Sequence, residues 1–212
     1  MIIELRDLTI DTPDGRRLLT GVTQEFRPGV IAIAGANGAG KSTFLRAVAT
    51  VHPIAAGRIT LCNSDSRTER ARYLEQLIFM PQTFSAYPKL TGVEFLQYSL
   101  RIRGATAKDA REKASAWLRE VNLESAADSF IGTYSQGMLQ RLGFAYAMQV
   151  DVPAYILDEP FAGVDPESRQ SLLELVFLTG KSRIVLVTTH DLEEMVVRGA
   201  RIFHVRDQKL AC

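Results

Sequence analysis

The stretch "VIAIAGANGAGKSTFL", residues 30–45, decides the fold. Its first five residues are apolar without interruption, the pattern of a parallel strand buried on both faces. Gly35 to Thr43 then match G-x-x-x-x-G-K-[ST], and a helix is expected from Lys41 to about Thr50. Strand, glycine-rich loop and helix in that order form a phosphate-binding turn. Its glycines let successive backbone N–H groups curl around phosphate oxygens without Cβ clashes. We assign the phosphate contacts to Asn37, Gly38, Ala39, Gly40, Lys41, Ser42 and Thr43. Lys41 brings a point charge to the outer phosphates and Ser42 offers a hydroxyl to Mg²⁺.

Upstream, residues 2–10 and 17–26 read as strands joined through "TPDG", a turn set by Pro13 and Gly15. Downstream come a short strand near 57–62, a mixed polar segment and the apolar strand "LIFM" at 77–80. From about 83 to 150 the pattern is helical. "TGVE" at 91–94 is a capping box and "TAKD" at 106–109 an acidic variant of one. Strands return at 154–157 and 183–189, each followed by a helix, and "ARIFHV" at 200–205 closes the sheet. Strand and helix alternate around a helical interruption, so the class is α/β with a mainly parallel core and an antiparallel N-terminal β region. We expect one domain over 1–212, with a helical subdomain at 83–150 inserted in a core of 1–82 and 151–212.

The chain has 212 residues, enough for a substantial core. Lys+Arg is 25 and Asp+Glu 24, a balance that offers no field for nucleic acid or anionic lipid. Cys62 and Cys212 stand far apart in no metal-binding spacing and read as free thiols of a reducing cytosol. The N-terminus begins as an alternating strand, not a signal peptide. No apolar run approaches the roughly 20 residues that span a bilayer.

A second set of residues extends the phosphate chemistry. "YILDEP", 155–160, ends an apolar strand in two acids. Asp158 at a strand's carboxyl end suits Mg²⁺ beside a phosphate loop, and Glu159 is placed to take a proton from attacking water. Gln82, just beyond "IFM" and Pro81, is a candidate to orient water or Mg²⁺. His190, ending "VLVTT", is a candidate to bond a terminal phosphate. Asp165 before Pro166 reads as an N-cap with proline at N1. "TYSQGMLQRLGF", 133–144, sets Ser135 and Gly137 at a helix start suited to an anion. His52 and His204 read as structural.

In this order the pieces resemble the ATP-binding subunit of ABC transporters: the Walker A loop "GANGAGKST", the Q-loop Gln82, the signature "YSQGM", the Walker B strand "YILDEP", the D-loop "AGVD" and the switch His190. The match runs along essentially the whole chain and looks most like the exporter branch. The resemblance implies ATP and Mg²⁺ as ligands, with Ser42, Gln82 and Asp158 at the metal and Glu159, His190 and Gln82 in catalysis. It also implies a second ATPase subunit, identical or not, bound head to tail. Ser135 and Gly137 would then face the nucleotide on the partner, Asp165 of the D-loop would join the nucleotide-binding residues, and an integral-membrane permease would hold the pair on the cytoplasmic face. Two departures stand out. The usual "LSGGQ" is here Tyr134 to Met138. The aromatic that normally stacks on adenine is replaced by "DTPDGRR", Phe26 being the first aromatic of the chain. Against a transport ATPase stand a soluble ABC-type ATPase of DNA maintenance or translation, and a regulatory module that binds ATP without turnover. The first usually needs coiled coils, tandem domains or basic surfaces. Intact Lys41, Asp158, Glu159 and His190 argue against the second.

Overall fold

The structure is a computed structural model that describes residues 1–12 and 14–211. Pro13 of the expected turn and the thiol of Cys212 lie outside the described residues. The chain divides into two compact units, one of Met1–Phe79, Val152–Glu159 and Val176–Cys212, the other of Met80–Asp151 and Pro160–Leu175.

The first unit is built on two sheets. Strands β1 (Ile3–Asp11), β2 (Arg17–Phe26), β3 (Gly29–Ala34), β4 (Ala56–Leu61), β5 (Ser64–Asp65) and β6 (Leu77–Met80) come first, with helices α1 (Lys41–Val48) and α2 (Arg70–Leu74) between them. After the helical segment follow β7 (Ala154–Asp158), β8 (Ile184–Thr188), β9 (Arg201–Arg206) and β10 (Lys209–Ala211). The smaller sheet is antiparallel, order β2-β1-β4-β5; the larger has the order β10-β9-β3-β8-β7-β6. In the larger sheet β3 pairs in parallel with β8 and β9, and β7 with β8, while the β9–β10 pair is antiparallel.

β3 is central because it has no polar side chain to keep wet: Val30 to Ala34 are all buried. Its side chains meet α1 and the antiparallel sheet in one core, where Phe26 packs edge-on against Phe44 at 6.4 Å and Phe203 at 5.2 Å. Each fully buried side chain of this size contributes about 1.5–3 kcal/mol, so the β3–α1 junction is anchored before any ligand is considered. Two details differ from the sequence reading. "ARIFHV" does not close the sheet, because β10 folds back on it and forms the outer edge. The polar segment after β4 holds the short helix α2, whose Tyr73 is buried and donates to Val48 O at 2.7 Å. Outside the sheet pairs, Thr20 of β2 donates its N–H to Gln208 O at 3.0 Å. His52 is structural: its Nε2 lies 2.6 Å from Asp11 O.

The second unit is helical: α3 (Gly92–Ile102), α4 (Ala107–Glu120), α5 (Gln136–Met148) and the first part of α6 (Pro166–Gly180). The α3 capping box is reciprocal, Thr91 Oγ1 accepting from Glu94 N and Glu94 Oε2 from Thr91 N. At α4 the shorter Asp109 instead takes its bond from the Thr106 hydroxyl, at 2.7 Å. Within this unit Phe84 is buried, its ring 5.8 Å from Phe95 and 5.9 Å from Tyr146. A Cβ at Gly143 would stand 2.6 Å from the Phe84 ring, so that glycine admits the aromatic against α5. Tyr87 is exposed.

Candidate nucleotide site

The loop after β3 delivers the start of α1, and the local geometry there is unusual for a helix. Its N-cap is Gly40, with φ 92° in the left-handed region, and no side chain caps the helix. The first-turn N–H groups therefore have no side-chain acceptor, the condition under which a helix end attracts an anion. Lys41 Nζ donates to Gly35 O at 2.9 Å and Ala36 O at 3.2 Å, which holds the ammonium over the loop. Gly40 is pressed by Leu18 of β2: a Cβ there would lie 2.1 Å from Leu18 Cδ1. A cleft of about 280 Å³ runs from Lys41, Ser42 and Thr43 past Gly38 and Gly40 to Thr12, Asp14 and Arg16.

The second half of the site stands at the carboxyl ends of β7 and β8. Asp158 and Thr188 are neighbours in the parallel register and both are wholly buried. Asp158 Oδ1 accepts from Ser42 Oγ at 3.0 Å and from Thr188 Oγ1 at 2.7 Å. Oδ2 is buried with no hydrogen-bond partner among the described residues. An orphaned carboxylate oxygen in a dry site is costly unless something cationic or a donor reaches it. A hard cation bound by Asp158 Oδ2 and Ser42 Oγ fits that donor set.

Glu159 follows directly, in a left-handed backbone conformation of φ 50°. Its N–H donates to Thr188 Oγ1 at 2.8 Å. Burial raises its carboxyl above the ordinary value, with Asp158 adding to the rise, while His190 and Lys41 pull it down. His190 Nε2 stands 3.3 Å from Glu159 Oε1, its ring largely exposed. Ser42, Asp158, Glu159 and His190 are thus gathered in one unit with the phosphate loop. Thr188 had no place in the sequence reading. Its signal was a hydroxyl ending an otherwise apolar strand, "IVLVT", meaningful only once the strand pairing is known.

The remaining candidates belong to the second unit. Gln82 is exposed in the loop after β6. Ser135 caps α5, accepting from Met138 N at 3.2 Å. Asp165 opens α6, accepting from Ser168 N at 2.9 Å; that backbone bond, helped by the Ser168 hydroxyl, holds its carboxyl below the usual range. Gly137 has a packing reason that its sequence neighbours do not reveal: a Cβ would lie 2.7 Å from Gly163 O, so the "AGVD" segment needs it bare.

The central parallel sheet, the uncapped glycine-preceded helix and the acid pair at the carboxyl end of β7, beside Thr188 of β8, define a phosphate-loop nucleotide-binding domain. Residues 19–162 match the family model described as ABC transporter. The chain belongs to the ABC transporter family. It is 35% identical over 184 residues to the Nod factor export ATP-binding protein I of Burkholderia pseudomallei, covering 85% of this chain and 60% of that protein. It is 31% identical over 183 residues to the human ATP-binding cassette sub-family A member 2, covering 86% of this chain and 8% of that one. The chain therefore spans between a small fraction and somewhat over half of these relatives. A solved structure of the ATP-binding subunit of an ABC transporter superposes with a TM-score of 0.89 at 27% identity, over 99% of this chain and 88% of the other. No helix among the described residues is long and apolar enough to cross a membrane.

Proposed function

We propose that this chain is the ATP-binding and ATP-hydrolysing subunit of an ABC transporter, driving transport, in the export direction, through a separate membrane permease. The observation that carries the reading is the Ser42–Asp158 pair beside the uncapped α1 terminus, with Asp158 Oδ2 left open for a cation. Backbone N–H groups of Asn37 to Thr43 and the Lys41 ammonium bind the phosphates. Ser42 and Asp158 hold Mg²⁺, which when bound neutralises phosphate charge. Glu159 takes the proton of the attacking water. Burial raises its affinity for a proton above that of an ordinary carboxylate, the direction that favours a base. His190 steadies the water or the terminal phosphate from beside Glu159.

Gln82, by its place in the motif order, orients water and Mg²⁺. Ser135, Gly137 and Asp165 serve the nucleotide of a second subunit, identical or different. The helical subdomain, taken as 83–150, carries the contact with the permease, which keeps the pair at the cytoplasmic face. In the segment after Gln82, "TFSAYPKLTGVEF", Phe84 is buried and Tyr87 exposed, so Tyr87 is the aromatic anchor for the permease. The family and the export named for the Nod factor relative support this direction.

The experiment is single-turnover ATP hydrolysis by the purified protein and by Glu159→Gln. Loss of the base should lower the rate roughly 10²–10⁴-fold while ATP still binds and a closed dimer accumulates. Hydrolysis by the variant at the wild-type rate would remove Glu159 from the role of base.

A further inference from the structure

Thr188 is buried, and its hydroxyl bonds to both acidic residues of the site. It ends β8, whose other residues, Ile184 to Val187, are apolar and buried. Packing would be served there by valine, which has nearly the same shape. A hydroxyl in such a place must be hydrogen-bonded to be tolerated, and this one is bonded twice. It accepts from Glu159 N at 2.8 Å, which leaves its own proton to donate to Asp158 Oδ1 at 2.7 Å. Ser42 donates to that same oxygen at 3.0 Å. Both of these donors fall on Oδ1, and Oδ2 is buried with no hydrogen-bond partner among the described residues. The N–H at the other end belongs to a residue whose backbone is left-handed, a conformation that persists only where its surroundings hold it.

We infer that Thr188 is a positioning residue. Its hydroxyl locks the Asp158 carboxylate with one oxygen free for the cation, and it pins the backbone turn that presents the Glu159 side chain. The inference rests on the nucleotide-and-Mg²⁺ reading of the site. A purely architectural role, satisfying the buried Glu159 N–H, would affect stability without touching the metal.

The test compares Thr188→Val and Thr188→Ser with wild type. The affinity for a fluorescent ATP analogue is measured in EDTA and in excess Mg²⁺, alongside steady-state turnover and a thermal melt. Partners that orient a metal ligand are worth about 10–100-fold in metal affinity or activity. The valine variant should keep its Mg²⁺-free affinity within about twofold, lose about tenfold or more of the gain that Mg²⁺ gives, and turn over at least about tenfold more slowly. Serine should restore both. If the melt shows the valine variant unfolded, Thr188→Cys, close to serine in size and a poor hydrogen-bonder, takes its place. A wild-type Mg²⁺ gain and turnover in the valine variant would overturn the inference and leave the proposed function standing. So would a serine variant as impaired as valine. A wild-type protein with no Mg²⁺-dependent gain would remove the proposed function itself, and this inference with it.

Discussion

Gly40→Ala should be among the most damaging single-methyl changes in the chain, and Leu18→Ala should relieve part of the damage. Two separate costs meet at Gly40. Its φ of 92° is left-handed, which costs an L-residue about 1–2 kcal/mol. The new Cβ would also fall 2.1, 2.7 and 2.9 Å from Leu18 Cδ1, Cδ2 and Cγ. Leu18 is 8% exposed and has little room to swing out, so overpacking adds about 1–3 kcal/mol. Gly40→Ala alone should cost about 2–5 kcal/mol, the sum of these terms. Leu18→Ala, at the rim of the core, should cost about 2 kcal/mol, the low end for such truncations. In the double variant the collision disappears and only the backbone strain and the lost leucine remain. The cycle should therefore show a favourable coupling of about 1–3 kcal/mol. Urea unfolding of the four proteins measures it, and ATP binding should be lost in Gly40→Ala and only partly regained in the double variant. Costs that add to within about 0.5 kcal/mol would refute the idea that Leu18 and the loop compete for that space.

Glu159→Gln should also raise the melting temperature at pH 7–8. A carboxyl whose folded value is raised stabilises the fold below its unfolded value and loses that contribution as pH rises through the folded one. The gain from removing the charge should accordingly shrink as pH falls below the ordinary 4.5, and a gain that grows in acid would reverse the sign. Mixing Lys41→Ala with Ser135→Arg subunits should yield more nucleotide-dependent dimer than either variant alone, since one composite site keeps both partners; no recovery by gel filtration would place the two residues at a single site of one chain. GTP should compete with ATP within about tenfold, roughly 1.4 kcal/mol, because the described lining of the clefts beside the phosphate loop includes no aromatic and Arg16 and Arg17 are engaged with Asp14 and Asp11. Pro13 of "DTPDGRR" is outside the described residues. A strong preference for ATP in competition binding would mean that a ring from another source stacks on the base.

Local sequence was most informative where the physics is local. "VIAIA" announces a strand buried on both faces, "GANGAGKST" a phosphate turn, and Thr91 with Glu94 a helix start, since each depends on neighbours a few residues away. What escaped depends on partners distant in the chain. Thr188 matters because β8 lies beside β7 in a register that sets it next to Asp158. Gly137 is bare because of Gly163 O, and Phe84 is hidden because Gly143 makes room for it. β10 was missed because three residues after a two-residue turn carry too little pattern to announce an edge strand.

The pairing of β3 carries a consequence for how the chain comes into being. Its neighbours β8 and β9 are encoded roughly 150 and more residues later. At a synthesis rate of about 5–20 residues per second, this buried apolar strand waits on the order of ten seconds or longer for the strands that will flank it. Only the β1–β2 hairpin, its β4 neighbour and the loop–α1 segment are available to shelter it meanwhile. Contacts of such long sequence separation also slow the closing step itself. The central strand is thus the one that waits longest for its neighbours, and an interval in which nascent chains are open to chaperones, or to each other, is built into the order in which the strands are written.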